Sequence, residues 1–132
     1  MPCKIMVVDD EEDMVDAVKM VLEIEGYEVI VAYDGDEALQ KAEAEMPDLI
    51  FLDKVMPGKS GIEVCKILKS QAKTKHIPVL IFTASGADID DVVAEAQADG
   101  YFRKPFAPED LLAEVRKRVD DVSARKSFKE EC

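Results

Sequence analysis

The chain has 132 residues, of which 48% are hydrophobic and 35% are charged, a composition typical of one globular domain rather than a disordered chain. Its 17 Lys and Arg against 29 Asp and Glu give a net charge of −12, which argues against a general nucleic-acid surface. No apolar run approaches the roughly 18 residues of a membrane helix, and the first residues lead straight into a strand-like run, so we expect neither a membrane anchor nor a signal peptide.

Three cysteines, Cys3, Cys65 and Cys132, are an odd number without paired spacing. We therefore expect reduced thiols in a cytoplasmic protein. His76 is the only histidine and there is no C-x-x-C pattern, so the sequence gives no support for a zinc site.

Short apolar runs alternate with longer amphipathic segments along the chain. The apolar runs predict five strands, at residues 4–8, 28–32, 48–52, 78–82 and 101–103. Several of them, such as Ile5-Met6-Val7-Val8, are continuously apolar instead of alternating. Continuous runs are typical of parallel strands that are buried on both faces.

Each predicted strand is followed by a predicted helix. The first helix is expected at residues 12–25, with Gly26 as its C-terminal cap and a core face of Met14, Ala17, Val18, Val21 and Leu22. The later helices are expected to begin at Asp34 or Asp36, at Ser60, at Ile89 and at Pro108, and the fourth to end near Ala98.

This alternation predicts an α/β fold, a three-layer, doubly wound, five-stranded parallel sheet with five helices. We expect one domain over residues 1–122, and we expect residues 123–132 to be either an extension of the last helix or a flexible tail. In such folds ligands bind beyond the carboxyl ends of the strands, so chemistry is expected there.

Polar residues stand at those strand ends. Asp9 and Asp10 follow the first strand, Asp53 ends the third, Thr83 ends the fourth and Lys104 ends the fifth. Close carboxylates repel one another and favour a hard divalent cation, and Mg²⁺ prefers oxygen ligands. An Asp carboxylate can attack a phosphoryl donor, while a hydroxyl and an ammonium can bind phosphoryl oxygens. The residue types therefore favour phosphoryl capture over acyl transfer or redox chemistry.

The motifs Val7-Val8-Asp9-Asp10-Glu11, Asp53 to Gly61, Thr83-Ala84 and Lys104-Pro105-Phe106 occur in order, each after a strand. Over about residues 4–119 the chain resembles the receiver (CheY-like) domains of two-component response regulators. The resemblance implies the strand order 2-1-3-4-5, which the family shares with flavodoxin. It also implies a domain that is not an enzyme beyond catalysing its own phosphorylation and dephosphorylation.

The resemblance implies a role for individual residues. Asp53 would be the phosphoacceptor, and Asp9, Asp10, Asp53 and the backbone carbonyl of Val55 would hold Mg²⁺. The phosphoryl group would bind to Thr83 and Lys104. The switch residues would be Thr83 and Tyr101, and the Lys104–Pro105 peptide would be cis.

Three further positions bear on partner docking and on the phosphoryl lifetime. Lys54 stands where the family more often has an apolar residue, and we expect it to point outward. Val55 and Ser85 occupy the two variable positions that tune the phosphoryl lifetime in this family. Neither is a carboxylate or an amide that would position an attacking water, so slow self-dephosphorylation is the hypothesis.

The resemblance also implies partners. The phosphoryl donor would be a histidine kinase or a histidine phosphotransfer protein, and the output would be a downstream protein or a second copy bound at the helix 4–strand 5–helix 5 face. Nucleic acid and membrane are not expected to bind directly. The alternatives are a phosphorylation-independent interaction module with the same fold and a flavodoxin-like cofactor binder, which the acidic run after the first strand opposes. The sequence leaves open whether the chain is a whole regulator or part of a multidomain one.

Overall fold

In the computed structural model, residues 3–54, 58–83, 89–103 and 107–125 are described. Five strands and five helices alternate in these ranges, in the order β1 (Lys4–Val8), α1 (Glu12–Ile24), β2 (Glu28–Ala32), α2 (Gly35–Glu45), β3 (Leu49–Asp53), α3 (Gly61–Ser70), β4 (Val79–Thr83), α4 (Ile89–Ala96), β5 (Gly100–Arg103) and α5 (Pro108–Arg125). None of the helices in these ranges combines the length and apolarity needed to cross a bilayer.

The strands form one parallel sheet in the order β2-β1-β3-β4-β5, which confirms the predicted topology. Every residue of β3 is buried, whereas the edge strand β2 is mostly half-buried. The runs in β1, β3 and β4 are therefore continuously apolar because these are central strands, and helices cover both of their faces.

Two apolar layers sandwich the sheet. On one side α1 and α5 contribute Val15, Val18, Leu22, Leu111 and Val115 against alternate strand residues that include Phe51 and Phe82. On the other side α2, α3 and α4 contribute Ala38, Ala42, Val64, Cys65, Leu68 and Ala96. Successive strand side chains point to opposite faces, so each buried strand supplies both layers.

The predicted helix boundaries are close to those observed. Gly26 follows α1 with φ of 94°, the left-handed conformation that glycine adopts readily. The side chain of Asp34 accepts from the Glu37 amide at the start of α2, and that of Ser60 accepts from the Glu63 amide at the start of α3. One predicted core position is wrong, because Ala17 is exposed and Val15 is buried in its place.

Two aspartates precede strands at the amino-terminal edge of the sheet and bind the neighbouring strand in the same way. Asp48, before β3, accepts the Lys4 amide at Oδ2 (3.0 Å) and donates its own amide to the Lys4 carbonyl (2.8 Å). Asp99, before β5, accepts the Val79 amide at Oδ2 (2.8 Å) and donates its amide to the Val79 carbonyl (2.9 Å). Each aspartate thereby fixes where two adjacent strands begin.

The expectation of three reduced thiols is wrong for Cys3. This residue immediately precedes β1, is buried and is disulfide-bonded. Cys65 is a free, buried thiol in α3.

Candidate functional site

The carboxyl ends of the central strands bring three carboxylates together. β1 and β3 pair in parallel, with Val8 opposite Leu52, so the residues that follow these positions lie side by side. Asp9 and Asp10 follow Val8, and Asp53 follows Leu52 as the last residue of β3. The register of β1 and β3 therefore brings these three residues to the same edge of the sheet.

Carboxylate oxygens of Asp9, Asp10 and Asp53 lie within 4.8 Å of one another. Asp9 is fully buried, Asp53 is 8% exposed and Asp10 is exposed. The backbone amide of Asp9 donates to the Ala32 carbonyl (3.2 Å), and its Oδ1 accepts the Glu11 amide (3.0 Å). These bonds hold Asp9 in place between β2 and the first turn of α1.

This donor set fits a hard divalent cation. Buried carboxylates at such separations repel one another strongly unless a positive charge stands between them. All three side chains present oxygen, and one of them is open to solvent, which suits an ion that keeps several waters.

Two of the other predicted site residues belong to the described strands. Thr83 is the last residue of β4, and its backbone pairs with Arg103 of β5 at the same edge of the sheet. Tyr101 is in β5, pairs with Ile81 and is 40% exposed. The remaining predicted positions, Val55, Ser85, Lys104 and Pro105, lie outside the described residues.

An ion pair between residues that follow β2 and β3 was not predicted. Lys59 Nζ lies 2.7 Å from Asp36 Oδ1 and joins the β3–α3 loop to the start of α2. The hydrogen bond with Asp36 raises the pKa of the Lys59 ammonium above its ordinary value. The two residues are 23 positions apart, so sequence spacing gives no signal of the contact.

Comparison with known proteins gives consistent matches. The family model of the response regulator receiver domain matches residues 5–116. Over 114 residues the chain is 49% identical to the alkaline phosphatase synthesis transcriptional regulatory protein PhoP of Bacillus subtilis, an alignment that covers 86% of this chain and 47% of PhoP. The chain thus spans about half the length of this curated relative.

Solved structures agree in fold and sequence. The Vibrio cholerae chemotaxis protein CheY4 superposes with a TM-score of 0.83 at 34% identity, covering 89% of this chain and 98% of CheY4. A CheY-like response regulator receiver domain protein from Methanospirillum hungatei superposes with a TM-score of 0.87 at 28% identity, covering 95% and 99% of the two chains.

Proposed function

The chain belongs to the response regulator receiver domain family, and from this premise we propose that Asp53 is its phosphoacceptor and that Mg²⁺ assists the transfer. The observation that supports this most is the gathering of Asp9, Asp10 and Asp53 at one strand edge, with oxygens within 4.8 Å. Asp53 ends a fully buried strand, and a carboxylate in that position is costly without a compensating cation.

In this proposal Asp9, Asp10, Asp53 and the Val55 carbonyl hold the magnesium ion. Bound Mg²⁺ supplies positive charge that offsets the negative charge on the transferring phosphoryl oxygens. The buried position of Asp9 and its hydrogen bond to the Glu11 amide keep one metal-binding carboxylate in a single orientation. That pre-organisation lowers the cost of binding the ion.

The transfer is a substitution at phosphorus. A carboxylate oxygen of Asp53 forms the new O–P bond while the P–N bond to a phosphohistidine breaks, and the bonding pair returns to the imidazole nitrogen. The product is an acyl phosphate on Asp53. We assign Thr83 as a hydroxyl donor and Lys104 as a cation to the phosphoryl oxygens, roles that follow from the family resemblance.

The proposed switch couples that product to the β5 surface. Thr83 would move toward the phosphoryl group, and Tyr101, 40% exposed in this structure, would rotate inward behind it. The surface of α4, β5 and α5 would then bind a downstream protein or a second copy. This is a local charge event that biases a two-state element.

The proposed partners follow from the same reaction. The phosphoryl donor is a histidine kinase or a histidine phosphotransfer protein, in the cytoplasm. The transcriptional role in the name of PhoP belongs to that longer relative. The net charge of −12 makes direct contact with nucleic acid unfavourable for this domain, so we propose that its own output is protein binding.

The test is incubation with acetyl phosphate, with and without Mg²⁺, followed by intact-mass measurement. The wild type should gain one phosphoryl group only with Mg²⁺, and Asp53→Asn should gain none. Asp16→Asn, which removes an exposed carboxylate on α1, is the matched control and should behave as wild type. A wild type that is unmodified by acetyl phosphate and unchanged in tyrosine fluorescence by beryllofluoride would instead support a phosphorylation-independent interaction module.

A further inference from the structure

We propose that Gly61, the first residue of α3, is a positioning residue that sets the location of Asp53 through direct backbone contact; this inference rests on the proposed function. A β-carbon built on Gly61 would lie 2.1 Å from the Asp53 carbonyl oxygen and 2.9 Å from its carbonyl carbon. It would also lie 3.0 Å from Lys54 Cα. All three atoms belong to the backbone of the acceptor and its neighbour.

The reason for glycine at this position is space. The described glycines with positive φ are Gly26 and Gly58, and Gly61 is not among them. Its amide donates to the Lys54 carbonyl at 2.9 Å, so the start of α3 rests directly on the end of β3. A side chain would force these two backbones apart, whatever its chemistry.

Both backbone polar groups of Lys54 are hydrogen-bonded. Its amide donates to the Phe82 carbonyl of β4 (3.0 Å), and its carbonyl accepts the Gly61 amide (2.9 Å). The residue after Asp53 is thereby hydrogen-bonded to β4 on one side and to α3 on the other. Because Asp53 directly precedes Lys54, its position relative to Asp9 depends on both hydrogen bonds.

At the other described glycines a β-carbon would not meet the backbone of Asp53 or Lys54. One on Gly35 would meet Val64 Cγ2 at 2.7 Å, Lys59 Cβ at 2.9 Å and the Lys59 carbonyl oxygen at 3.3 Å, a tight site with little freedom to adjust. One on Gly100 would meet the ends of two side chains, Arg118 Nη2 at 2.7 Å and Leu80 Cδ2 at 3.0 Å, which can shift. At Gly61 the backbone itself must move by at least about 0.9 Å to bring 2.1 Å to 3.0 Å, the limit below which real β-carbon contacts essentially do not occur. Site geometry needs to be held within about 0.5 Å, so such a shift is large.

The experiment compares Gly61→Ala with two control variants. Gly100→Ala makes the same chemical change at the start of β5, where the end of the Arg118 side chain can shift, and Ser60→Ala removes the cap of α3 without entering the space beside Asp53. For each variant, the Mg²⁺ affinity is measured by calorimetry, and the rate of phosphorylation is measured with acetyl phosphate as the donor. The free energy of unfolding is measured by urea denaturation in the absence of Mg²⁺.

We expect Gly61→Ala to weaken Mg²⁺ binding by about tenfold or more, the range found when residues that orient metal ligands are replaced. Phosphorylation should slow in parallel. Ser60→Ala and Gly100→Ala should bind Mg²⁺ like the wild type even where they unfold more easily. Wild-type Mg²⁺ affinity in Gly61→Ala would overturn the inference. A wild type that fails to be phosphorylated would overturn the proposed function instead, so the two failures are distinguishable.

If Gly61→Ala does not fold, amide hydrogen exchange in the wild type provides the test. A metal ion that binds only when the Gly61 amide is hydrogen-bonded to the Lys54 carbonyl stabilises that state by mass action, so Mg²⁺ should slow hydrogen exchange of the Gly61 amide. The Glu63 amide, bound to Ser60 Oγ, is the internal reference and should not respond. Equal exchange of the Gly61 amide with and without Mg²⁺ would refute the positioning role.

Discussion

Lys69 and Asp99 form an ion pair at the amino-terminal edge of the sheet, with Nζ 2.7 Å from Oδ2. The Lys69 side chain is only 10% exposed, and its ammonium also donates to the Ile77 carbonyl at 2.8 Å. The same Asp99 oxygen accepts the Val79 amide. This one carboxylate therefore joins α3, β4 and the turn before β5.

The first prediction concerns the Asp99 carboxylate. Asp99→Ala should lower the free energy of unfolding by about 1–3 kcal/mol, because it leaves a largely buried ammonium and a strand amide without this acceptor. Asp99→Asn keeps an oxygen for the Val79 amide and removes the charge, so it should cost less. Urea unfolding measures both. Equal stability of Asp99→Ala and the wild type would show that the network adds nothing.

The second prediction concerns pH and Glu37. Hydrogen bonds from Lys41 and from the Tyr33 amide lower the pKa of the Glu37 carboxyl below its ordinary 4.5. A group with a lowered folded-state pKa stabilises the fold above its unfolded pKa and loses that effect as pH falls through the folded value. At pH 7 the free energy of unfolding of the wild type should therefore exceed that of Glu37→Gln by about 0.3–0.5 kcal/mol, the usual contribution of an exposed ion pair on a helix.

That stability difference should shrink toward zero by about pH 3, below the ordinary carboxyl pKa. Chemical denaturation across this pH range measures it. Glu43→Gln, an exposed position on the same helix, is the control for general charge effects. A difference between wild type and Glu37→Gln that stays constant with pH would refute the prediction.

The third prediction concerns the Cys65 thiol. Burial raises its pKa to about 11, the nearby Lys69 ammonium lowers it and Asp99 raises it. The thiolate is the reactive form, so iodoacetamide at pH 8 should modify Cys65 only as fast as the protein unfolds. Ala72→Cys in a Cys65→Ser background places a thiol at an exposed position and should react freely. Rapid modification of Cys65 in the folded protein would contradict this.

The fourth prediction concerns phosphoryl lifetime. Val55 carries no group that could position an attacking water, so Val55→Asn should shorten the half-life of the acyl phosphate. Val55→Leu, which stays apolar, should leave the half-life near the wild-type value. Loss of radiolabel after removal of the donor measures both variants. An unchanged half-life in Val55→Asn would count against this role.

Much of the fold follows from local sequence patterns. Short apolar runs predicted all five strands, and capping residues such as Ser60 marked where helices begin. The exact strand ends do not follow from local patterns, because hydrogen bonds to neighbouring strands decide them. The third strand was predicted at residues 48–52 and is Leu49–Asp53, since its register is set against β1 and β4.

The acidic cluster was predictable because parallel strands align their carboxyl ends. Contacts between distant positions were not predictable. Nothing in the local sequence indicates that Lys69 meets Asp99, 30 positions away, or that Gly61 lies against the Asp53 carbonyl. Such contacts depend on how helices lie on the sheet. The predicted burial of Ala17 was wrong for a similar reason, because the rotation of α1 about its axis places Val15 against the sheet and leaves Ala17 exposed.

The paired use of Asp48 and Asp99 at the amino-terminal edge has a practical consequence for protein engineering. These aspartates fasten adjacent strands at the end of the sheet opposite the acidic cluster. Substitutions that strengthen this end can raise thermal tolerance without contacting the reactive carboxylates. Directed evolution of this scaffold should therefore separate into two largely independent searches, one for robustness at the amino-terminal edge and one for signalling behaviour at the other.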